Sequence, residues 1–332
     1  MFHNISSISN LLRAWKEFSC GKHKKKDVVL FELELENNLF RLHKELTSKT
    51  YKHREYFDFY VSDPKRRHIH KATVGDRVVH QAIFRILYNV FDKHFIYHSY
   101  SSRKFHGTHL AVNNFYKACG KASKNWKLKI FVLKCDIRKF FDSIDHELLK
   151  GIIKTKISCR DTLCLLGTLL QSFEKNENKG LPLGNVTSQL FANIYLNEFD
   201  QFIKHKLKIK YYFRYCDDFV IISESEEYLF GLILEIKKFL SEKLLLDLHP
   251  KKLEIRPVRK GIDFLGYVVL PHIIVLRTKT KKRILKSVKN NYKKYKNGLI
   301  DKEDFINILN SYFGILSHCR NKRIYNYIKR FI

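Results

Sequence analysis

The stretch "FRYCDDFVII", residues 213–222, sets two adjacent carboxylates, Asp217 and Asp218, inside an apolar, strand-like run. An ionised carboxylate in such surroundings is strongly destabilising unless charge or hydrogen bonds offset it. The flanking sequence "YYFRYCDDFVIIS" reads as two apolar strands meeting at Cys216–Asp217, hence a hairpin. Standing alone, Asp-Asp at a turn is ordinary turn chemistry. Here it has company. "LKIFVLKCDIRKFFDSIDHELL" passes from a buried strand (Ile130–Cys135) through a turn into a helix, with Asp136 at the strand end. Asp136 read by itself could be a helix N-cap. If the two strand regions pair, however, three carboxylates converge at one sheet edge, and they cannot stay ionised without a compensating charge. A pair of Mg²⁺ ions ~3.5–4 Å apart, with Mn²⁺ as a substitute, supplies that charge and clamps both oxygens of an in-line phosphoryl displacement.

The net charge agrees with phosphate chemistry. With 63 Lys and Arg against 33 Asp and Glu, the chain carries a formal +30. Such a charge repels itself in the free protein and implies a polyanionic partner, most often nucleic acid. No apolar run reaches the ~18 residues of a membrane span, and "MFHNISSISNLLRAWKEF" lacks a signal-peptide pattern. The expectation is a soluble, cytoplasmic protein with no membrane partner. Seven scattered cysteines never form a C-x-x-C pair, so buried, reduced thiols are expected rather than zinc ligands or disulfides. "HIH" at 68–70 lacks the partner cluster a metal site needs.

Along the chain the order is helices, mixed α and β, then helices. "SNLLRAWKEFSCG" reads as a helix capped at Ser9 or Asn10 and stopped at Gly21. "DVVLFELELENNLFRLHKELTSKTY" continues with apolar positions near helical spacing. Residues 56–75 suggest a hairpin bearing Lys65, Arg66 and Arg67. "DRVVHQAIFRILYNVFDKHF" is a helix with Val78, Ile83, Ile86 and Leu87 inward. "GLPLGNVTSQLFANIYLNEFDQFIKHKL" is a Gly/Pro loop launching a long helix from Thr187 or Ser188. "EEYLFGLILEIKKFLSEKLL" is amphipathic, and short strands surround Gly261 and Gly266. From Thr278 onward the sequence becomes a basic helical tail. The fold class is α+β.

Taken in order, these segments resemble a known family. "YCDD" at 215–218 resembles the Tyr-x-Asp-Asp box of reverse transcriptases, and "CDIRKFFDSID" at 135–145 their first catalytic-Asp motif. "RRHIHKATVGDRVVHQ", "GLPLGNVTSQLFANIYLNEFD", "LHPKKLEI" and "FLGYVV" fall around them in the family's order, so the resemblance spans about residues 10–330. It implies a right-hand polymerase fold: a helical extension over 1–50, fingers over 51–128, and a palm over 129–270 whose antiparallel sheet carries the Tyr-x-Asp-Asp hairpin. The palm includes a fingers-palm helix near 187–206, and a helical thumb follows over 271–332.

The resemblance also assigns roles. Asp136 and Asp217 hold both metals, Asp218 assists, and Ile137 is carried over as a further metal contact. Asp142 and Asp145 more simply read as solvated or capping. Phe141 matches the aromatic position that blocks a ribose 2′-OH, with core packing the plain account of one of Phe140 and Phe141. Arg67 and Lys65 match the fingers positions that clamp an incoming triphosphate, where a guanidinium suits bidentate phosphate contact. Leu183, Gly184 and Gln189 line the substrate side. Lys252 matches the lysine that protonates the leaving pyrophosphate, with Lys251 an adjacent competitor. Arg77, Lys281, Lys282, Arg283, Lys286 and Lys289 are expected to meet the template–primer backbone. Tyr292, Tyr295 and Tyr312 either stack on nucleotides or pack.

One departure narrows the resemblance. Where many such polymerases carry Leu-Pro-Gln-Gly, this chain has "LPLG", with Leu183, followed by "NVTSQ". That form is similar to the enzymes of diversity-generating retroelements, which misincorporate opposite template adenines. It implies a template RNA, a primer, dNTPs and a small basic accessory protein that forms a multimer. It also implies a bacterial, archaeal or phage-encoded source. Other readings remain open at this point: a related bacterial reverse transcriptase in phage defence or a retron-like role, or an RNA-binding, maturase-like protein. The sequence carries no HNH, integrase or RNase H pattern after the palm. A self-sufficient mobile intron protein is therefore not expected.

Overall fold

The computed structural model describes residues 1–62 and 66–331. Lys65, an expected triphosphate contact, lies outside the described residues. Four helices open the chain: α1 (Phe2–Ser6), α2 (Ile8–Ser19), α3 (Lys26–Leu33) and α4 (Leu35–Thr47). The cap of α2 is Ser7, whose Oγ accepts from the Asn10 N–H, rather than Ser9 or Asn10. Asn10 instead turns inward, its amide donating to the Ile5 and Ala82 carbonyls. The long periodic run after Asp27 is broken at Glu34, which leaves helical geometry between α3 and α4.

Next come the antiparallel hairpin β1 (Phe57–Val61) and β2 (Arg67–Lys71), then α5 (Val74–Phe91). Thr73 caps α5, which buries Val78, Ile83 and Leu87 and half-buries Ile86. The chain continues through α6 (Thr108–Ala122), β3 (Phe131–Asp136), α7 (Phe140–Ser143), α8 (His146–Lys154) and α9 (Arg160–Gln171). Asp145 is the N-cap of α8, accepting from the Leu148 N–H at 3.0 Å. The long helix α10 (Val186–Gln201) starts just after Asn185. It leads to β4 (Tyr212–Tyr215), β5 (Asp218–Ser223), α11 (Glu226–Leu244) and β6 (Glu254–Pro257). The last elements are β7 (Ile262–Phe264), β8 (Tyr267–Leu270), β9 (Ile273–Leu276), α12 (Thr278–Lys296), α13 (Lys302–Leu316) and α14 (Lys322–Lys329).

Two compact units divide the chain, each assembled from three segments. The first comprises Met1–Ser102, Ile137–Lys208 and Ile236–His249. In it α5 packs against α2 and α10, and α10 is buried along most of its length. The second comprises Arg103–Asp136, Ile209–Glu235 and Pro250–Ile332. It holds an antiparallel sheet of order β4-β5-β3-β6 and another of order β7-β8-β9. β3 and β5 are interior strands, paired along both edges, and Leu133, Cys135, Phe219, Val220 and Ile221 are fully buried. Burying such side chains contributes roughly 1.5–3 kcal/mol each.

Phe115 of α6 joins the two sheets, its ring 5.7 Å from that of Phe213 on β4 and 5.2 Å from that of Phe264 on β7. The cysteines divide. Cys119 and Cys135 are buried as expected, but Cys20 and Cys164 are exposed, because Cys20 follows the end of α2 and Cys164 lies on the outer face of α9. Phe115→Ala is expected to destabilise the protein by about 3–5 kcal/mol in chemical denaturation, through the cavity it leaves. Phe57→Ala, at a side chain that already faces solvent, should change stability by less than about 0.5 kcal/mol.

Candidate active site

The second unit brings the three acids together. β3 and β5 pair antiparallel with Asp136 opposite Asp218, and β4 and β5 pair with Tyr215 opposite Asp218. Cys216 and Asp217 form the tight connection. Cys216 takes a left-handed φ of 57°, a conformation that side-chain-bearing residues adopt at some cost. Arg214, fully buried on β4, holds that turn by donating from Nη1 to the Cys216 carbonyl at 3.1 Å.

The electrostatics follow from burial. Asp136 is only 6% exposed. Burial, reinforced by repulsion from Asp136, pushes the Asp217 carboxyl above the usual carboxylate range. Burial and then the neighbouring Asp217 push Asp218 up to about 7, against the opposing pull of Lys134. Lys134 stands two residues before Asp136 on β3, so the two share a face. Its Nζ also donates to the Asp263 carbonyl of β7 at 2.7 Å. Lys252 closes a single turn, Pro250–Lys252, just ahead of β6, and its Nζ donates to Asp136 Oδ2 at 2.6 Å. Lys251, its neighbour, is exposed.

Carboxylate oxygens are hard ligands that suit Mg²⁺ or Mn²⁺. Three of them, with Asp217 and Asp218 raised in pKa first by burial and then by repulsion from neighbouring carboxylates, form a donor set that a divalent cation fits. Asp136, Asp217 and Asp218 would hold it. Among the described residues no three acid, histidine or cysteine side chains are already drawn into ligating geometry, and Asp136 is engaged with Lys252 instead. Ile137 is buried and bridges to Leu248 in the first unit.

The first unit carries most of the expected substrate contacts. Arg67 is exposed on β2, opposite Val61. One strand position beyond Ile69, the His70 N–H donates to the Leu183 carbonyl at 3.0 Å, tying the "LPLG" loop to the hairpin. Gly184 has a φ of +127°, and a Cβ there would lie 3.3 Å from the His70 carbonyl oxygen, so the loop passes too close for a larger residue. The Leu183 side chain is half-buried, and Gly184 and Gln189 are exposed. Phe140 is buried in the core, whereas Phe141 is half-buried, its carbonyl accepting from the Leu181 N–H at 2.8 Å. Arg77 is already engaged, with Nη2 2.6 Å from Asp27 Oδ2 and its guanidinium over the Phe18 ring.

The basic helix α12 belongs to the second unit. It buries Ile284 and Val288, while Lys282, Arg283, Lys286 and Lys289 are exposed and Lys281 is half-buried. Tyr292 and Tyr295 lie against Phe305 of α13, and the Tyr312 hydroxyl donates to Ser287 Oγ, so these rings pack. The sequence reading missed Lys134 and Arg214. Lys134 was findable from its i−2 spacing to Asp136, and Arg214 from a lone guanidinium in an apolar strand. It also missed Asn185, buried beside Arg77 and Lys22 in a cavity of about 190 Å³. Nothing in its sequence neighbourhood marks it.

Residues 62–269 match the family model described as reverse transcriptase (RNA-dependent DNA polymerase). Protein YkfC of Escherichia coli (strain K12) is 26% identical over 247 residues, covering 62% of this chain and 64% of that protein. Group II intron-encoded protein LtrA of Lactococcus lactis subsp. cremoris is 26% identical over 288 residues, covering 66% of this chain and 46% of its own length. The chain thus spans less than two thirds of these relatives. Apo telomerase from Candida tropicalis superposes with a TM-score of 0.52 at 13% identity, over 74% of this chain and 53% of that one. That likeness is one of fold, the right-hand polymerase class.

The raised Asp218 pKa has a measurable sign. Asp218 keeps its proton to about pH 7 when folded but releases it near 3.8 when unfolded. Its contribution to stability is therefore full below about pH 4 and is lost as pH rises through 7. In the metal-free protein the urea midpoint should fall between pH 5 and pH 8, and Asp218→Asn should flatten that decline.

Proposed function

The chain belongs to the reverse transcriptase (RNA-dependent DNA polymerase) family, and on that footing we propose that it is an RNA-directed DNA polymerase extending a primer along an RNA template. The supporting observation is the register that sets Asp136 opposite Asp218, with Asp217 at the adjoining turn. Asp136 and Asp217 are the principal ligands for two Mg²⁺ or Mn²⁺ ions, Asp218 assists, and Ile137 contributes through its main chain. When bound, such ions supply positive charge to the phosphoryl oxygens in an in-line displacement. The rest is the work of side chains. The primer 3′-OH loses its proton to solvent water as its oxygen attacks the α-phosphorus of a dNTP. The bond to the β-phosphate breaks, and Lys252 gives a proton to the departing pyrophosphate. Arg67 and Lys65 grip the triphosphate, Phe141 excludes a ribose 2′-OH, and Gly184 and Gln189 line the substrate. Arg77 and the exposed bases of α12 follow the template–primer backbone, which makes binding steeply salt-dependent.

The "LPLGNVTSQ" loop supports a finer reading, a diversity-generating enzyme that is error-prone at template adenines and works with a small basic accessory multimer. Glutamine at position 183 could hydrogen-bond the nucleotide and disfavour poorly placed pairs. Leu183 offers only apolar contact, which discriminates by ~1–3 kcal/mol. A second reading draws on the similarity to the group II intron-encoded protein: an RNA-binding, maturase-like role without polymerisation.

Metal-dependent primer extension decides between these readings. Asp217→Asn is expected to lower extension by roughly 10²–10³-fold or more while leaving RNA binding intact. Wild type that binds RNA but extends no primer would favour the maturase-like role. For the finer reading, sequencing cDNA made on an adenine-rich template should show fewer errors at adenines with Leu183→Gln. An unchanged error rate would sink the fidelity argument.

A further inference from the structure

The carboxylate cluster already has a cation against it, and the chain itself supplies that cation. Lys252 Nζ lies 2.6 Å from Asp136 Oδ2, with the lysine side chain 38% exposed and the aspartate 8%. The acid is therefore buried and the base reaches in from solvent. β6, which follows Lys252 directly, pairs with β3 from Phe131 to Lys134, so the lysine is delivered along the strand that ends in Asp136. The nearby ammonium of Lys134 has another task, donating to the Asp263 carbonyl and offsetting Asp218. Asp136, Asp217 and Asp218 repel one another in a poorly solvated place, and a cation at hydrogen-bond distance relieves that repulsion.

We propose that Lys252 is the resident counter-ion of this centre: its ammonium holds Asp136 Oδ2 in the metal-free chain and must release that oxygen before Asp136 can ligate a divalent cation. The proposal rests on the polymerase reading above. Release and ligation are alternatives at one oxygen, so each weakens the other by the same factor. Lys252 thereby becomes available to a leaving group only in chains whose carboxylates are loaded. The lysine lowers metal affinity and yet serves turnover, which a purely structural ion pair would not do.

Mn²⁺ binding, read from the electron paramagnetic resonance of the free ion, separates these roles. Lys252→Gln should bind Mn²⁺ about two- to fivefold tighter than wild type, as expected for losing a half-exposed competing ion pair. Its single-turnover dNTP incorporation should nonetheless fall. Lys252→Arg, which keeps the cation, should bind Mn²⁺ as wild type does. Equal or weaker binding by Lys252→Gln overturns the proposal. In the unmutated chain, acetylation of Lys252 followed by mass spectrometry should accelerate when Mn²⁺ is added, and an unchanged rate overturns the proposal without relying on any variant to fold. Asp217→Asn that binds Mn²⁺ as well as wild type would instead bring down the metal-centre reading itself, and the counter-ion role with it.

Discussion

Placing three like charges in one poorly solvated spot demands a scaffold that cannot slip, and the pairing of β3 with β5 supplies it. Side chains alternate along a strand, so a shift of one residue would send Asp136 or Asp218 to the opposite face and mismatch the packed side chains around it. Both strands are interior, with their apolar residues fully buried. Any such slip therefore costs the core as well as the site. The same burial that fixes the register pushes up the pKa of Asp217 and Asp218. Stability and the appetite for a cation have one origin here.

Cations from the chain moderate that tension from two sides. Lys134 sits within β3 and reaches the Asp263 backbone, so it belongs to the joint between the two sheets of the second unit. Lys252 approaches Asp136 from a short turn that follows a separate segment of the chain. Arg214 acts on the backbone rather than on the acids, tying the carbonyl of a left-handed Cys216. The acids alone do not make the site. A buried guanidinium and two differently anchored ammonium groups make its geometry tolerable.

Much of this was legible in the residues. Apolar runs broken by Asp136 and by Asp217–Asp218 announce strand ends because charge in such a run needs a reason. The hairpin at Cys216–Asp217, the inward face of α5 and the capping role of Asp145 follow from period and turn chemistry. The misreadings are local competitions between similar groups. Ser7 caps α2 in place of Ser9 or Asn10 because Asn10 finds better partners in the Ile5 and Ala82 carbonyls. The break at Glu34 interrupts a periodic run without glycine or proline to mark it. The place of Asn185, beside Lys22 and Arg77, depends on residues far along the chain, which spacing alone does not reveal.

The loop at Leu183 carries a different kind of consequence. Its attachment to the hairpin runs through a main-chain carbonyl, and the neighbouring Gly184 is held by the closeness of the His70 backbone. Neither attachment uses the side chain at 183. A change of side chain at that position therefore leaves both of these attachments in place. The chemistry presented at 183 can change over evolution without renegotiating the loop's main-chain moorings.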